Sequence, residues 1–223
     1  WSEADRKIPI EYQKWVETWA EEWYRVLKPG ASCFIFAGRR FAHRAIVGLE
    51  NSGFTFRDMI GWNRNNATLK AQRISKVYER RNDIENANKL SEWRVGNLRP
   101  VFEPILWFTK PYKQGGTIAD NMLKHGVGAY NLEKWQLYSE KGNNYIEIPN
   151  LSLDRGLHPT QKPLALMKAL IELTTQENQI VLDPFAGSGT TLVAAKELNR
   201  HYLGFEINEE YYNNSLNRLN TLL

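Results

Sequence analysis

The 223-residue sequence holds one cysteine, Cys33. A single thiol forms no internal disulfide, so no disulfide framework supports the fold. Cys33 stands in the apolar run "CFIFA" and reads as a buried core thiol, which suits a reducing, cytosolic setting. No run approaches ~18 consecutive apolar residues, which argues against a membrane span. A secretory signal is also missing. Internal repeats and low-complexity tracts are absent, so repeat architectures are set aside. No metal site is expected. The chain opens on Trp1 rather than methionine, and the reading is that a true N-terminal segment is missing.

What is there is globular in balance, with 42% hydrophobic and 24% charged residues. The length suits one α/β domain with a full core. Net charge is +4 but uneven: residues 64–99 carry nine Lys/Arg against four Asp/Glu, whereas residues 158–223 carry five against seven. A basic excursion on a mildly basic protein points to an anionic polymer, although a solvated basic face is the competing reading.

Apolar spacing of three and four over residues 9–27 predicts an amphipathic helix, with Trp15, Trp19 and Trp23 on a core-facing stripe. Lys28-Pro29-Gly30 ends it. Strands are expected at 32–38, 54–62 and 101–111, and a helix closed by Gly53 between the first two. Residues 64–99 read as a surface excursion, partly helical near 70–90, and 112–157 as a second irregular region. Patterning resumes over 158–175, with Pro163 in the first turn of a helix. Alternating strands and helices predict a doubly wound, mostly parallel sheet.

The span "IVLDPFAGSGTTLVAAKELNRHYLGFEI", residues 180–207, carries the chemistry. A short β-branched strand ends in Asp183, a glycine turn leads to a helix, and a second strand ends near Glu206. Ligands of open α/β sheets sit at the carboxyl ends of strands. Gly187 and Gly189 let a ligand approach the backbone. Glu206, 23 residues past Asp183, stands where an acid commonly accepts from ribose hydroxyls. A dinucleotide fingerprint wants a third glycine where Leu192 stands, and a P-loop wants a lysine where Thr190 stands, so neither NAD nor ATP is supported. A cofactor with an ammonium and no phosphates, such as S-adenosylmethionine, fits.

"DPFAGSGTT" resembles the cofactor motif of the amino-directed DNA methyltransferases, and "HPTQKP" at 158–163 is similar to its partner motif. In the permuted beta group of that family this pair follows the catalytic half, which explains why it comes late in the chain. The segments "WYRVLKPGASCFIFAG", "HRAIVGLENSGFTFRDMIGW", "FEPILWFTKP" and "TIADNMLKHGVGAYNLEKW" share the likeness. The resemblance implies a Rossmann-like methyltransferase fold in permuted order and an S-adenosylmethionine pocket. Asp183 would meet the cofactor's ammonium, and Phe185, Gly187, Ser188, Gly189 and Thr190 would form the turn. Glu206 would hold the ribose, with Ile207 or Asn208 beside the adenine. His158, Thr160 and Lys162 would complete the pocket, with Lys162 near the carboxylate; the competing readings are a capping His158 and a solvated Lys162.

That family's catalytic element is an Asp/Asn/Ser-Pro-Pro-aromatic turn, which holds the target amine and stacks on a flipped base. No Pro-Pro occurs here, so the turn is expected upstream of Trp1. The implied activity is methyl transfer to an exocyclic amine of DNA, with adenine N6 favoured over cytosine N4. A silent DNA-binding module and a methyltransferase acting on RNA or protein stay open. Double-stranded DNA is the expected partner, with phosphates met by Lys70, Arg73, Lys76, Arg80 and Arg81 and base edges read by 112–157. The resemblance also allows a homodimer and a cognate restriction enzyme. A cytoplasmic, prokaryotic or phage-encoded protein is expected.

Overall fold

The computed structural model describes residues 3–63, 71–112, 115–149 and 157–221, with backbone alone for residues 3–6. The chain begins with helix α1 (Glu3–Val26), strand β1 (Ser32–Phe36), helix α2 (Ala42–Asn51) and strand β2 (Thr55–Asn63). A small module follows: β3 (Gln72–Arg73), α3 (Ser75–Glu79), α4 (Ile84–Lys89) and β4 (Arg94–Val95). Then come β5 (Phe102–Thr109), α5 (Ile118–His125), α6 (Leu132–Gln136) and β6 (Tyr145–Glu147). The last part runs α7 (Leu164–Thr174), β7 (Ile180–Asp183), α8 (Thr190–Glu197), β8 (His201–Gly204) and α9 (Glu209–Asn220).

Alternation along β5 explains the layers. Ile105 and Trp107 point into one core with α7, while Leu106 and Phe108 point into another with α1 and α2. On β1, Phe34 and Phe36 join the first core, and Cys33 and Ile35 the second. A sheet apolar on both faces must be covered on both, and the helices do so. The expected doubly wound architecture is therefore present. Burial pushes the Cys33 thiol up to about 12, in keeping with a core thiol.

The main sheet has the order β1-β5-β2-β6. Strands β1, β2 and β6 share one direction, and β5 lies reversed between β1 and β2. Asn63 pairs with Phe102, so β2 and β5 form one long hairpin whose tip carries the β3–β4 module. Strands β7 and β8 pair in parallel as a second sheet. The two sheets share a core, since Val181 of β7 packs on the same cluster as Phe34 and Phe36.

Several sequence expectations shift. Helix α1 starts well before residue 9 and contains Pro9, which removes one amide donor. Trp19 and Trp23 pack on the core as expected, but Trp15 is half exposed. Pro163 is extended (φ −60°, ψ 137°) and precedes the helix, which begins at Leu164; residues 158–161 form a separate turn. Much of 115–149 is scaffold: Trp135, Ile146 and Ile148 are buried, and the indole N–H of buried Trp62 donates to the Ile148 carbonyl at 2.8 Å. Among the described residues no helix is long and apolar enough to cross a membrane.

Lys110 gains a structural role. Its ammonium donates to the carbonyls of Tyr24 and Leu27, the latter at 2.8 Å, and lies 4.7 Å from the Tyr24 ring. A cation at a helix C-terminus satisfies carbonyls that have no partner within the helix. Lys110→Met is expected to lower unfolding free energy by about 1–2 kcal/mol in a urea titration. An unchanged midpoint would remove this role.

Candidate cofactor site

The carboxyl ends of β7 and β8 place Asp183 and Glu206 on either side of the glycine turn. Glu206 holds the turn directly. One of its oxygens accepts from the Gly187 N–H at 2.8 Å, the other from the Asn208 N–H at 2.9 Å. Asp183 Oδ1 accepts from the Phe185 N–H at 3.1 Å. Burial holds the Asp183 carboxyl above the usual carboxylate range, against hydrogen bonds from Thr191 and Phe185 that favour its charge, and nearby Glu206 raises it further. The Thr191 hydroxyl also lies 3.4 Å from Met167 Sδ, but donating to a carboxylate is the stronger choice.

Two neighbouring carboxylates form a poor home for phosphates and a good one for a cation. That favours a ligand with ammonium or sulfonium charge. Ile207 follows Glu206 with its side chain fully exposed, an apolar surface suited to a flat heterocycle. Phe185 is also exposed, and its ring stands 5.8–6.0 Å from those of Trp15, Trp19 and Trp23.

The segment 158–163 reaches the same place. A Cβ on Gly187 would come within 3.4 Å of the His158 ring, which also meets Tyr211 edge-on at 4.4 Å. His158 Nδ1 accepts from the Thr160 N–H at 3.2 Å, so the capping reading of His158 holds alongside its place against the turn. Thr160 is exposed. Lys162 is not a solvated lysine. Its ammonium pairs with Glu103 of β5 at 2.7 Å and lies 4.8 Å from the Phe36 ring. Glu103, Phe36 and Trp62 all mark the end of the main sheet where β1 and β2 finish. Residues 158–163 thus join the carboxyl ends of both sheets.

Ser188, Gly189 and Thr190 face inward, whereas Asn208 is exposed. Ser188 and Thr190 are buried, and Arg218 of α9 donates to the Ser188 carbonyl at 2.7 Å and the Thr190 hydroxyl at 3.0 Å. Gly189 has φ +76°, and a Cβ there would lie 2.7 Å from that of Ser215, so a side chain at this position would collide with α9. Asn208 caps α9 by accepting from the Tyr211 N–H at 3.1 Å. Sequence reasoning missed Arg218 and also Gln161, whose buried Oε1 has no hydrogen-bond partner among the described residues.

An α/β fold with helices on both faces and acids at paired strand ends beside a glycine turn defines the Rossmann-like methyltransferase class. The chain belongs to the N6/N4 DNA methylase family, whose model matches residues 1–217. It is 61% identical to the Type II methyltransferase M.HindIII of Haemophilus influenzae, over 98% of this chain and 72% of that protein. It is 30% identical to M.HpaI of Haemophilus parainfluenzae, over 94% of this chain and 60% of that protein. Among solved structures, the complex of M1.HpyAVI with SAM matches with a TM-score of 0.63 and 28% identity, over 92% of this chain and 81% of that one. The cytosine-N4-specific PvuII DNA methyltransferase shares the fold, with a TM-score of 0.64 at 18% identity, over 94% and 71%. Members of this family are DNA methyltransferases that use S-adenosylmethionine, and the acid pair at the turn fits that cofactor's cationic centre.

Asp183→Asn keeps an acceptor for the Phe185 amide but removes the like-charge conflict. It is expected to abolish S-adenosylmethionine binding by calorimetry without lowering the melting temperature of the ligand-free protein at pH 7. The sign follows from the raised carboxyl: ionisation opposes folding as pH rises through its folded value, whereas a cationic ligand needs the ionised form. Cofactor affinity of the native protein is therefore expected to fall as pH drops through the raised Asp183 carboxyl. Full binding by Asp183→Asn, or affinity independent of pH, would contradict this.

Proposed function

We propose that this chain supplies the cofactor pocket and DNA-positioning surface of a DNA methyltransferase acting on the exocyclic amine of a flipped base, adenine N6 or cytosine N4. The observation that carries this reading is the acid pair across the glycine turn, with 158–163 packed against it. Asp183 is assigned to the ammonium, Glu206 to the ribose hydroxyls, and Ile207 to the adenine. Lys162 acts through its ion pair with Glu103, holding the segment to the main sheet. When bound, the cofactor supplies an electrophilic methyl group. This chain's residues fix its orientation, and attack then needs mainly alignment.

The Pro-Pro catalytic turn belongs, in this proposal, on a further strand beside β1 and β7. Support comes from the edges. Among the described residues β1 pairs only with β5 and β7 only with β8, and Ile180 at the start of β7 is 70% exposed. A parallel strand of an α/β sheet is ordinarily buried. The longer M.HindIII and M.HpaI agree with an additional segment. Base reading falls to exposed parts of 115–149, such as Tyr130 and Tyr145. Relatives named as Type II methyltransferases favour a cognate nuclease and a bacterial cytoplasmic setting.

Tritiated methyl transfer to duplex DNA tests this, with the 223-residue chain compared to a form extended by the residues encoded before Trp1. Transfer by the extended form alone is expected, and digestion to nucleosides names the base. Equal transfer by both forms would overturn the missing turn. Cofactor and DNA binding without transfer by either form would leave a binding module instead of an enzyme.

A further inference from the structure

The β3–β4 module closes around a hollow of about 450 Å³ lined by Arg73, Lys76, Arg80 and Arg94, with Gln72 beside them and no acid in the lining. Arg73 and Arg94 face each other directly across the two-stranded ribbon. Lys76 lies in α3, and Arg80 follows it by four residues at the helix end. Like charges directly opposed on a ribbon, or four apart on a helix, each disfavour the fold that brings them together. All four side chains are exposed, and among the described residues none has an ion-pair or side-chain hydrogen-bond partner. Nearby Asp83 is turned away, its carboxylate capping α4 through the Asn86 amide at 3.1 Å. The module therefore gathers four cations around one space; its acids Glu79, Asp83, Glu85 and Glu92 lie outside the lining, and among the described residues none of them forms an ion pair with the four.

Its position says what fills the space. Strands β2 and β5 carry the module at the tip of their hairpin. That tip projects from the end of the main sheet where Glu103 grips Lys162 of the cofactor segment. An anion held here lies toward the same end of the sheet as the cofactor site. We infer that this hollow is a clamp for a backbone phosphate of duplex DNA, built by Arg73, Lys76, Arg80 and Arg94. This rests on the DNA-methylating reading above and alters the expected contact set. Arg94 enters it. Arg81 leaves it, because its guanidinium lies over the Tyr78 ring at 5.8 Å and it does not line the hollow. Lys70 lies outside the described residues. A phosphate contact positions the duplex without reading it, so the clamp contributes affinity rather than sequence choice.

The test is the salt dependence of DNA binding by the whole protein, between about 50 and 200 mM salt, where each phosphate contact contributes roughly 0.9 to the slope of log K against log salt. The double variant Arg73→Gln/Arg94→Gln is expected to lower that slope by about 0.9 and to weaken two unrelated duplexes equally. Arg81→Gln is expected to leave the slope as it is. In the absence of DNA, the double variant is expected to melt no lower than native at low salt, because a repulsion has been removed; a fall in melting temperature would make these arginines structural. An unchanged slope, or a loss confined to one duplex, overturns the clamp. Inorganic phosphate competing at constant ionic strength as well as duplex does would make it a free-phosphate site. A larger slope loss on duplex RNA than on DNA would assign it to RNA. S-adenosylmethionine affinity is measured on the same proteins: its absence from all of them defeats the methyltransferase reading, whereas its presence with an unchanged slope defeats the clamp alone.

Discussion

One carboxylate ties the cofactor end of this molecule together. Glu206 sits just past β8 yet accepts from the amide of Gly187 in the turn after β7. With the backbone bonds from Ala186 N–H to the Phe205 carbonyl and from Phe205 N–H to the Asp183 carbonyl, it closes the turn against the chain leaving β8. Arg218 completes the hold from the other side, binding the Ser188 carbonyl and Thr190 hydroxyl. Burial of the Asp183 carboxylate is the main cost of the arrangement, nearby Glu206 adds to it, and the raised Asp183 carboxyl registers both. A cationic ligand resolves what the fold alone leaves unfavourable, which is how a site can be selective for charge before any further contact is made.

The rest of the fold brings separate chemistries to one end of the molecule. Reversal of β5 between β1 and β2 turns the residues after β2 into a hairpin tip at the carboxyl end of the sheet. The basic module sits on that tip. Lys162, pinned between Glu103 and the rings of Phe36 and Trp62, joins the same sheet end to the segment that packs on the glycine turn. One hairpin and one ion pair thereby bring the basic module and the segment packed on the glycine turn to the same end of the sheet.

Strong local patterns made much of this legible in the sequence. The apolar runs of β1, β2 and β5 and the glycine turn all appear where spacing and residue type placed them, because central strands and tight turns leave few alternatives. Partners were harder to read. Gly189 reads as room for a ligand and also makes room for Ser215 of α9, a contact between residues far apart in sequence. Asn208, expected beside the adenine, also caps α9. Residues 115–149 looked irregular because their apolar residues serve short elements: Trp135 and Ile146 reach the core from five- and three-residue segments. The capping pair Thr117 and Asp120, with Gly126 at φ +74° closing α5, was readable in hindsight. The Arg73–Arg94 pairing required the ribbon register, which two-residue strands do not announce.

A positively charged ligand relieves the cost of holding the Asp183 carboxylate buried beside Glu206. Carbon-detected NMR of the labelled Asp183 carboxyl, titrated with and without S-adenosylmethionine, measures this directly. The carboxyl is expected to titrate above the ordinary aspartate range in the free protein and to fall when the cofactor binds. A value unmoved by saturating cofactor, or moved upward, would contradict it.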